Sequence, residues 1–549
     1  MRIHALLVLP LIAVPALAQL PAPTLVSRTA PRAAWTTVAS AGLSTGATSG
    51  TPTPNATFRC DNPGAASSTH LYVFGGSLGN NTATTSNDLW AFDAVAGTFT
   101  QLIVDGAVGS PAARSRACIA WNPVSQKLVL FGGDTRGATP TLLNDTWEYD
   151  PVGNSWTNIP TANAPSARRW AAMAFDPTLG GMVLFGGETT IPPTTTPPTP
   201  PAYSNETWVL LGGNWAQLAP ATTPPARSLH SMVTRTDAFQ DVLMCGGNDN
   251  SQLNANNVLE QVRFLDVWRW NGGDWAMLSN FDVVTQTGTS FPAASLGNQA
   301  VYDPLRSRLV LQGGNGHSNI TTNLTYLYGT SYGGSPTNYT SEFDSYTNDW
   351  TTYANAATGT TPFNNTDPVL GRVSRYFGGF VAATGKVYKA CGQDPTRSGS
   401  RPTYSVYQYQ ANPVAAVVSN GAGCTGSAGP LALVADSLPW SSRTFQATGS
   451  GFAVNAIGFA VVGFATQSTP LSVLHPAGGV GCTLLVNPDV TLLLLPAGGQ
   501  ATMNIGLPAG PAFAGVVLNA QMLSAELTLT ADIAALLSTN ALALTIGAL

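Results

Sequence analysis

Leu128-Val129-Leu130-Phe131-Gly132-Gly133 is the stretch that decides the fold, because it recurs. Leu71-Tyr72-Val73-Phe74-Gly75-Gly76 precedes it, and Met182-Val183-Leu184-Phe185-Gly186-Gly187 follows. Val242-Leu243-Met244-Cys245-Gly246-Gly247 and Leu309-Val310-Leu311-Gln312-Gly313-Gly314 continue the series. Val387-Tyr388-Lys389-Ala390-Cys391-Gly392 is a degraded sixth, with Cys391 where the first glycine should stand. Four apolar residues in a row read as a strand buried on both sides, and paired glycines permit a backbone turn that side chains would block. A period of 54 to 78 residues is the mark of a repeat architecture.

Two further elements follow each glycine pair. Asp88-Leu89-Trp90 is matched by Asp145-Thr146-Trp147, Glu206-Thr207-Trp208, Asp266-Val267-Trp268 and Ser341-Glu342-Phe343. An aromatic then closes each unit at Phe99, Trp156, Trp215, Trp275 and Trp350. Apolar strand, double glycine, aromatic strand, short turn and second aromatic strand together resemble the Kelch repeat, over roughly residues 34 to 410. The resemblance implies an all-β propeller. The sixth unit lacks its last strand, and Ala34-Trp35-Thr36-Thr37-Val38 matches Ser155-Trp156-Thr157-Asn158-Ile159, so the N-terminal strand is expected to complete it. The expectation is a six-bladed propeller over 34–412, closed by that strand.

From Ala411 onward the only charged residues are Asp436, Arg443, Asp489, Glu526 and Asp532, and apolar or alternating runs alternate with Gly/Pro turns. That pattern predicts a small β-sandwich-like domain over 413–549, with 525–537 open to a short helix. Its texture is similar to the Gly/Leu-rich C-terminal modules of exported bacterial proteins. Ahead of the repeats, Arg2, the apolar run from Ala5 and Ala16-Leu17-Ala18 have the form of a signal peptide over 1–18, followed by a linker over 19–33. The chain is therefore expected to be secreted, without a membrane span after cleavage, since neither this run nor Leu492–Leu495 reaches ~20 residues. Of six cysteines, Cys424 and Cys482 fall in the C-terminal part and are expected to form a disulfide. Charged residues are 9 % of the chain and net charge is −5 with no basic run, which sets nucleic acid aside as a partner.

The long connections Ser77–Asn87, Thr189–Ala202, Asn248–Arg263 and Asn315–Thr340 belong to one face, where binding usually resides. Counting back from the glycines places Arg59, Arg116 and Arg375 at one position on that side, with Arg114 and Arg168 two residues earlier and Arg227 there too after allowing one inserted residue. Guanidinium groups there suit an anionic glycan or protein ligand. Set against this, Kelch repeats often carry Arg here for hydrogen bonds between blades, and Asp134, Glu188 and Asp394 stand ready to neutralise the charge. His230, with Glu188 from the preceding unit, is the pair that proton transfer on a sugar would need.

Other chemistry is poorly served. Galactose oxidase uses a Kelch-like propeller with a copper site of two His, two Tyr and a Cys. Here His70, His230, His317 and His475 offer no such set, nor any zinc spacing. Gly329-Thr330-Ser331-Tyr332-Gly333 has the letters of a nucleophile elbow without its strand–turn–helix setting. The reading is a binding protein with no cofactor, no metal and no assigned catalytic residue. Alternatives are a sugar mutarotase or lyase, and an envelope-associated structural protein.

Overall fold

The computed structural model describes residues 33–40, 59–61, 63–78, 85–136, 139–192, 199–253, 259–264, 266–279, 281–282, 287–288, 294–296, 299–312, 315–316, 340–353, 377–390, 393–394, 401–402, 405–411, 414–508 and 513–547. The signal-like segment, Arg375, Cys391, His317 and the Gly329–Gly333 motif lie outside them. What is described is all-β apart from one short helix, Leu471–Leu474.

Among the described residues six antiparallel sheets account for the repeats, five of four strands and the first of five, in which Arg59–Cys60 and Gly64–Ala66 both pair with His70–Leu78. The second is typical: Cys118–Asn122, Lys127–Phe131, Thr146–Asp150 and Ser155–Ile159 pair in that order. The sixth consists of Phe377–Val381, Lys386–Ala390, Ser405–Ala411 and, as its outer strand, Ala33–Ser40. There Trp35 stands opposite Tyr409 and Ala33 opposite Ala411. The first strands of successive sheets neighbour one another in chain order, and Phe377–Val381 comes back beside Gly64–Ala66.

The apolar runs are explained by where the cores lie, since each core forms between two sheets rather than inside one. Leu128 and Leu130 pack with Phe74 and Leu89 of the first sheet. Their neighbours Val129 and Phe131, pointing to the opposite side, pack with Met173 and Leu184 of the third. A strand with a sheet on either side must be apolar at every position. The closing tryptophans reach the preceding sheet: Trp215 Nε1 donates to Thr146 Oγ1 and Trp275 Nε1 to Thr207 Oγ1, both at 2.9 Å. The glycine pair is required on two counts. Gly132 and Gly133 have φ of 66° and 97°, and a Cβ on Gly132 would lie 2.7 Å from the Arg168 carbonyl oxygen.

The C-terminal residues form two further sheets. One orders Ala416–Asn420, Ile533–Thr545, Val517–Leu527, Ala456–Gly463 and Val490–Leu494; the other orders Ala432–Ala435, Thr444–Ser450 and Gln500–Gly506. Phe445, Ala447 and Met503 of the second share one core with Ala460, Met522 and Leu542 of the first. The expectation of a helix within 525–537 is corrected, because two long strands run through it and turn at Thr528–Asp532. Cys424 and Cys482 form a disulfide with Cα atoms 5.6 Å apart. Cys118 and Cys245 are free and buried. Arg443 bridges to the repeats, with Nη2 2.5 Å from Asp344 Oδ1 and its guanidinium over the Tyr346 ring.

Candidate functional site

The arginines separate into two sets with different work. Arg114, Arg168 and Arg227 are completely or almost completely buried. Each donates through Nη1 to the carbonyl of the first glycine of its own sheet, Gly132, Gly186 or Gly246, at 3.0 Å. Each also meets the acid two residues before the sheet's tryptophan: Asp145, Glu206 or Asp266, at 2.5 to 2.6 Å. That acid accepts a hydrogen bond from the tryptophan as well, as Asp266 Oδ2 does from Trp268 Nε1. These three side chains therefore brace strands within one sheet and leave no face for a ligand. The link between sheets is made by their backbone, for Gly133 N donates to Arg168 O and Gly187 N to Arg227 O.

The alignment of Arg59 with Arg116 is also corrected. Phe74 N donates to Pro63 O, and Phe131 pairs with Cys118, so Pro63 corresponds to Cys118 and Arg59 to Arg114. The first hairpin is shorter by one residue pair, which displaced a count made from the glycines. Arg116 instead corresponds to Asp61, Trp170 and Leu229. All four hold left-handed φ of 53° to 59°, a conformation that costs a side chain roughly 1 kcal/mol or more. Arg116 N donates to Asp61 O, Trp170 N to Arg116 O and Leu229 N to Trp170 O, forming a backbone girdle across four sheets.

These four residues line a cavity of about 140 Å³, together with the beginnings of the first strands and Gln299. It sits at the mouth of the opening that the six first strands surround, at the same end as the glycine turns. A chain of ion pairs meets it at Asp61 and Arg116. Arg116 reaches Asp61 at 3.4 Å and Asp134 at 2.9 Å; Arg169 reaches Asp134 at 3.1 Å and Glu188 at 2.8 Å; Arg136 reaches Asp61 at 2.9 Å. Arg116 and Arg169 both stack on Trp170, at 4.2 and 4.6 Å from its centroid. The acids lie beneath, with side-chain exposures of 0 to 5 %, while Arg116, Arg136 and Arg169 keep 11 to 14 % open. What exposure the ring keeps lies mainly on its arginine side chains.

Glu188 is thus part of this ring, though its partners are Arg169 and Ser228. Burial pushes its carboxyl upward, against the pull of Arg169. His230 does not join it. Its ring packs edge-on against Phe185 and over Gly186, and neither nitrogen makes a well-formed hydrogen bond among the described residues. Burial, then the nearby Arg227 charge, lower its pKa to about 3, with the Phe185 backbone opposing. The expected His230–Glu188 acid–base pair is therefore not assembled. Of the remaining expected residues, Arg59 is placed only by its backbone, opposite Leu78. Sequence reading passed over Asp61, Arg136, Arg169 and Trp170; the Arg-Arg-Trp run at 168–170, beside Arg-Ser-Arg at 114–116, was the available signal.

His230 gives a pH-dependent prediction. Its folded pKa lies below the ordinary 6.5, so the unfolded chain takes up a proton first as pH falls. Stability is complete above 6.5 and declines toward pH 3, by about 1.4 kcal/mol per pH unit within that window. Unfolding free energies from denaturant titrations near neutrality and near pH 4.5 should differ more for the wild type than for His230→Gln, by about 2.7 kcal/mol. Equal differences would show that His230 is not held neutral.

Meanders sharing cores with both neighbours, around a charged central opening, define a Kelch-type β-propeller. Residues 64–275 match the family described as the KLHDC2/KLHL20/DRC7 Kelch-repeats domain, so this stretch of the chain carries Kelch repeats. A shorter stretch of 66 residues is 39 % identical to the N-acetylneuraminate epimerase of Pasteurella multocida (strain Pm70). That match spans 12 % of this chain and 17 % of the epimerase. The solved structure of YjhT aligns over 64 % of this chain and 94 % of its own, at 14 % identity and a TM-score of 0.43, a likeness too loose to carry an argument.

Proposed function

We propose that this chain is an exported binding protein that takes a carboxylate-bearing sugar of a glycan at the mouth of its propeller. In this reading the six sheets are blades of one six-bladed propeller over 34–412, closed by Ala33–Ser40, and 413–549 is a sandwich-like domain beside it. The observation that carries the proposal is the layering of the ring. Its carboxylates are buried and already paired, whereas Arg116, Arg136 and Arg169 keep 11 to 14 % of their side chains exposed, and Arg116 lines the cavity beside Trp170. Planar guanidinium donors match a carboxylate in geometry as well as charge. A cavity of about 140 Å³ is well below the ~300 Å³ and more of pockets for drug-sized ligands, which suits one sugar ring and not an oligosaccharide. The short stretch shared with an epimerase named for an acidic sugar points to the same ligand chemistry.

Calorimetric titration tests this with N-acetylneuraminate and glucuronate set against glucose and N-acetylglucosamine. The acidic sugars should bind and the neutral ones should not, with affinity falling as salt is added. Arg116→Lys and Arg136→Gln should each weaken binding about tenfold, equivalent to about 1.4 kcal/mol, at temperatures where both variants are folded. Equal binding of neutral sugars, or affinity indifferent to both substitutions, would refute the assignment.

A further inference from the structure

We propose that the C-terminal sheet carries a self-association edge, at which Val490–Leu494 of one copy pairs antiparallel with the same strand of a second copy. This proposal is independent of the ligand site. Val490–Leu494 lies at the end of the five-stranded sheet, bonded to Ala456–Gly463 on one side only. Its register with that neighbour is unbroken from Val462–Val490 to Gly458–Leu494, so no bulge twists the edge away. No charge, proline or glycine interrupts residues 490–495. Edge strands of soluble proteins are normally protected by one of these devices.

Both faces of the strand are exposed rather than one. Val490, Leu492, Leu493 and Leu495 keep 50, 41, 64 and 80 % of their surface in contact with solvent. A row of unpaired backbone groups flanked by apolar side chains on both faces is complemented by another strand of the same character. This sequence is its own complement. A two-fold axis through Leu492, normal to the sheet, sets Val490 against Leu494 and Thr491 against Leu493 of the copy, with side chains on matching faces.

Charge favours the antiparallel arrangement. The nearest acid is Asp489, whose carboxylate accepts from Phe464 N at 2.8 Å and Asn487 Nδ2 at 2.6 Å. In the antiparallel pair the two Asp489 residues stand at opposite ends, about 20 Å apart at ~3.4 Å per residue and beyond the ~10 Å screening length. A parallel pair would set them side by side. Five residues per copy bury less than the ~1,200 Å² of a standard stable interface, so the dimer depends on concentration.

Sedimentation velocity of the full chain over a hundredfold concentration range is the test. The wild type should shift from monomer toward twice that mass, while Leu493→Lys should remain monomeric throughout with unchanged melting. Leu529→Lys, at a fully exposed turn away from the edge, should associate as the wild type does. In air, Leu492→Cys should form a disulfide-linked dimer that reductant dissolves. A wild type that stays monomeric, a Leu493→Lys variant that associates normally, or loss of association in Leu529→Lys would each overturn the proposal.

Discussion

Removing residues 1–40 should destabilise the chain drastically, whereas removing 1–32 should leave its melting temperature nearly unchanged. Ala33–Ser40 supplies seven paired positions to Ser405–Ala411, which would otherwise become an open sheet edge. Val38 also packs against the core between the sixth and first sheets, so the loss reaches the junction of those two sheets. A strand's worth of ladder and packing is several kcal/mol, enough to lower melting by roughly 10 °C or more in a domain of this size. Thermal melts of the two truncations make the comparison. Adding a peptide spanning 33–40 should recover part of the loss in the shorter chain. Melting within a degree or two for both truncations would mean that this strand does not close the ring.

Arg227→Met should cost about 3–5 kcal/mol, because it leaves Asp266 buried without its cation. Asp266 is nearly inaccessible and receives both guanidinium branches, at 2.6 and 2.7 Å, while Gly246 O takes a third donor bond. Arg227→Lys should fall between, since an ammonium cannot span two carboxylate oxygens and a carbonyl at once. Lys127→Ala serves as the contrast: its pair with Glu148 is 3.4 Å long and partly exposed, so the loss should stay below about 1 kcal/mol. Denaturant unfolding of the three variants gives the ranking. An Arg227→Met protein as stable as the wild type would remove the bracing role assigned to Arg114, Arg168 and Arg227.

Much of the architecture could be read from the sequence because the repeat states its own geometry. A strand packed between two sheets must be apolar throughout, and Leu128–Phe131 says so without knowledge of its neighbours. The pairing of Ala33–Ser40 was legible for the same reason, since Trp35-Thr36 repeats Trp156-Thr157 where the sixth unit lacks its last strand. The site was less legible. Counting from the glycines assumes hairpins of constant length, and one pair fewer in the first hairpin put Arg59 beside the wrong arginine. Burial is not written in residue type either. Arg114 and Arg116 are two residues apart, yet the left-handed turn at Arg116 sends one guanidinium into its sheet and the other to the cavity. Nothing in the spacing separates a bracing arginine from a presenting one. Trp170 lines the cavity with the guanidiniums of Arg116 and Arg169 over its ring.

The measurement that tests the central claim most directly is hydrogen exchange by mass spectrometry, with and without saturating N-acetylneuraminate or glucuronate. Binding at the ring should slow exchange in peptides that contain Arg116, Trp170 and Leu229, whose backbone amides form the girdle around the cavity. Peptides from the short turns at Pro123–Gln126 and Pro151–Asn154, and from the C-terminal sheets, should exchange as before. Protection confined to those turns or to residues 413–549, with the girdle unchanged, would contradict the account.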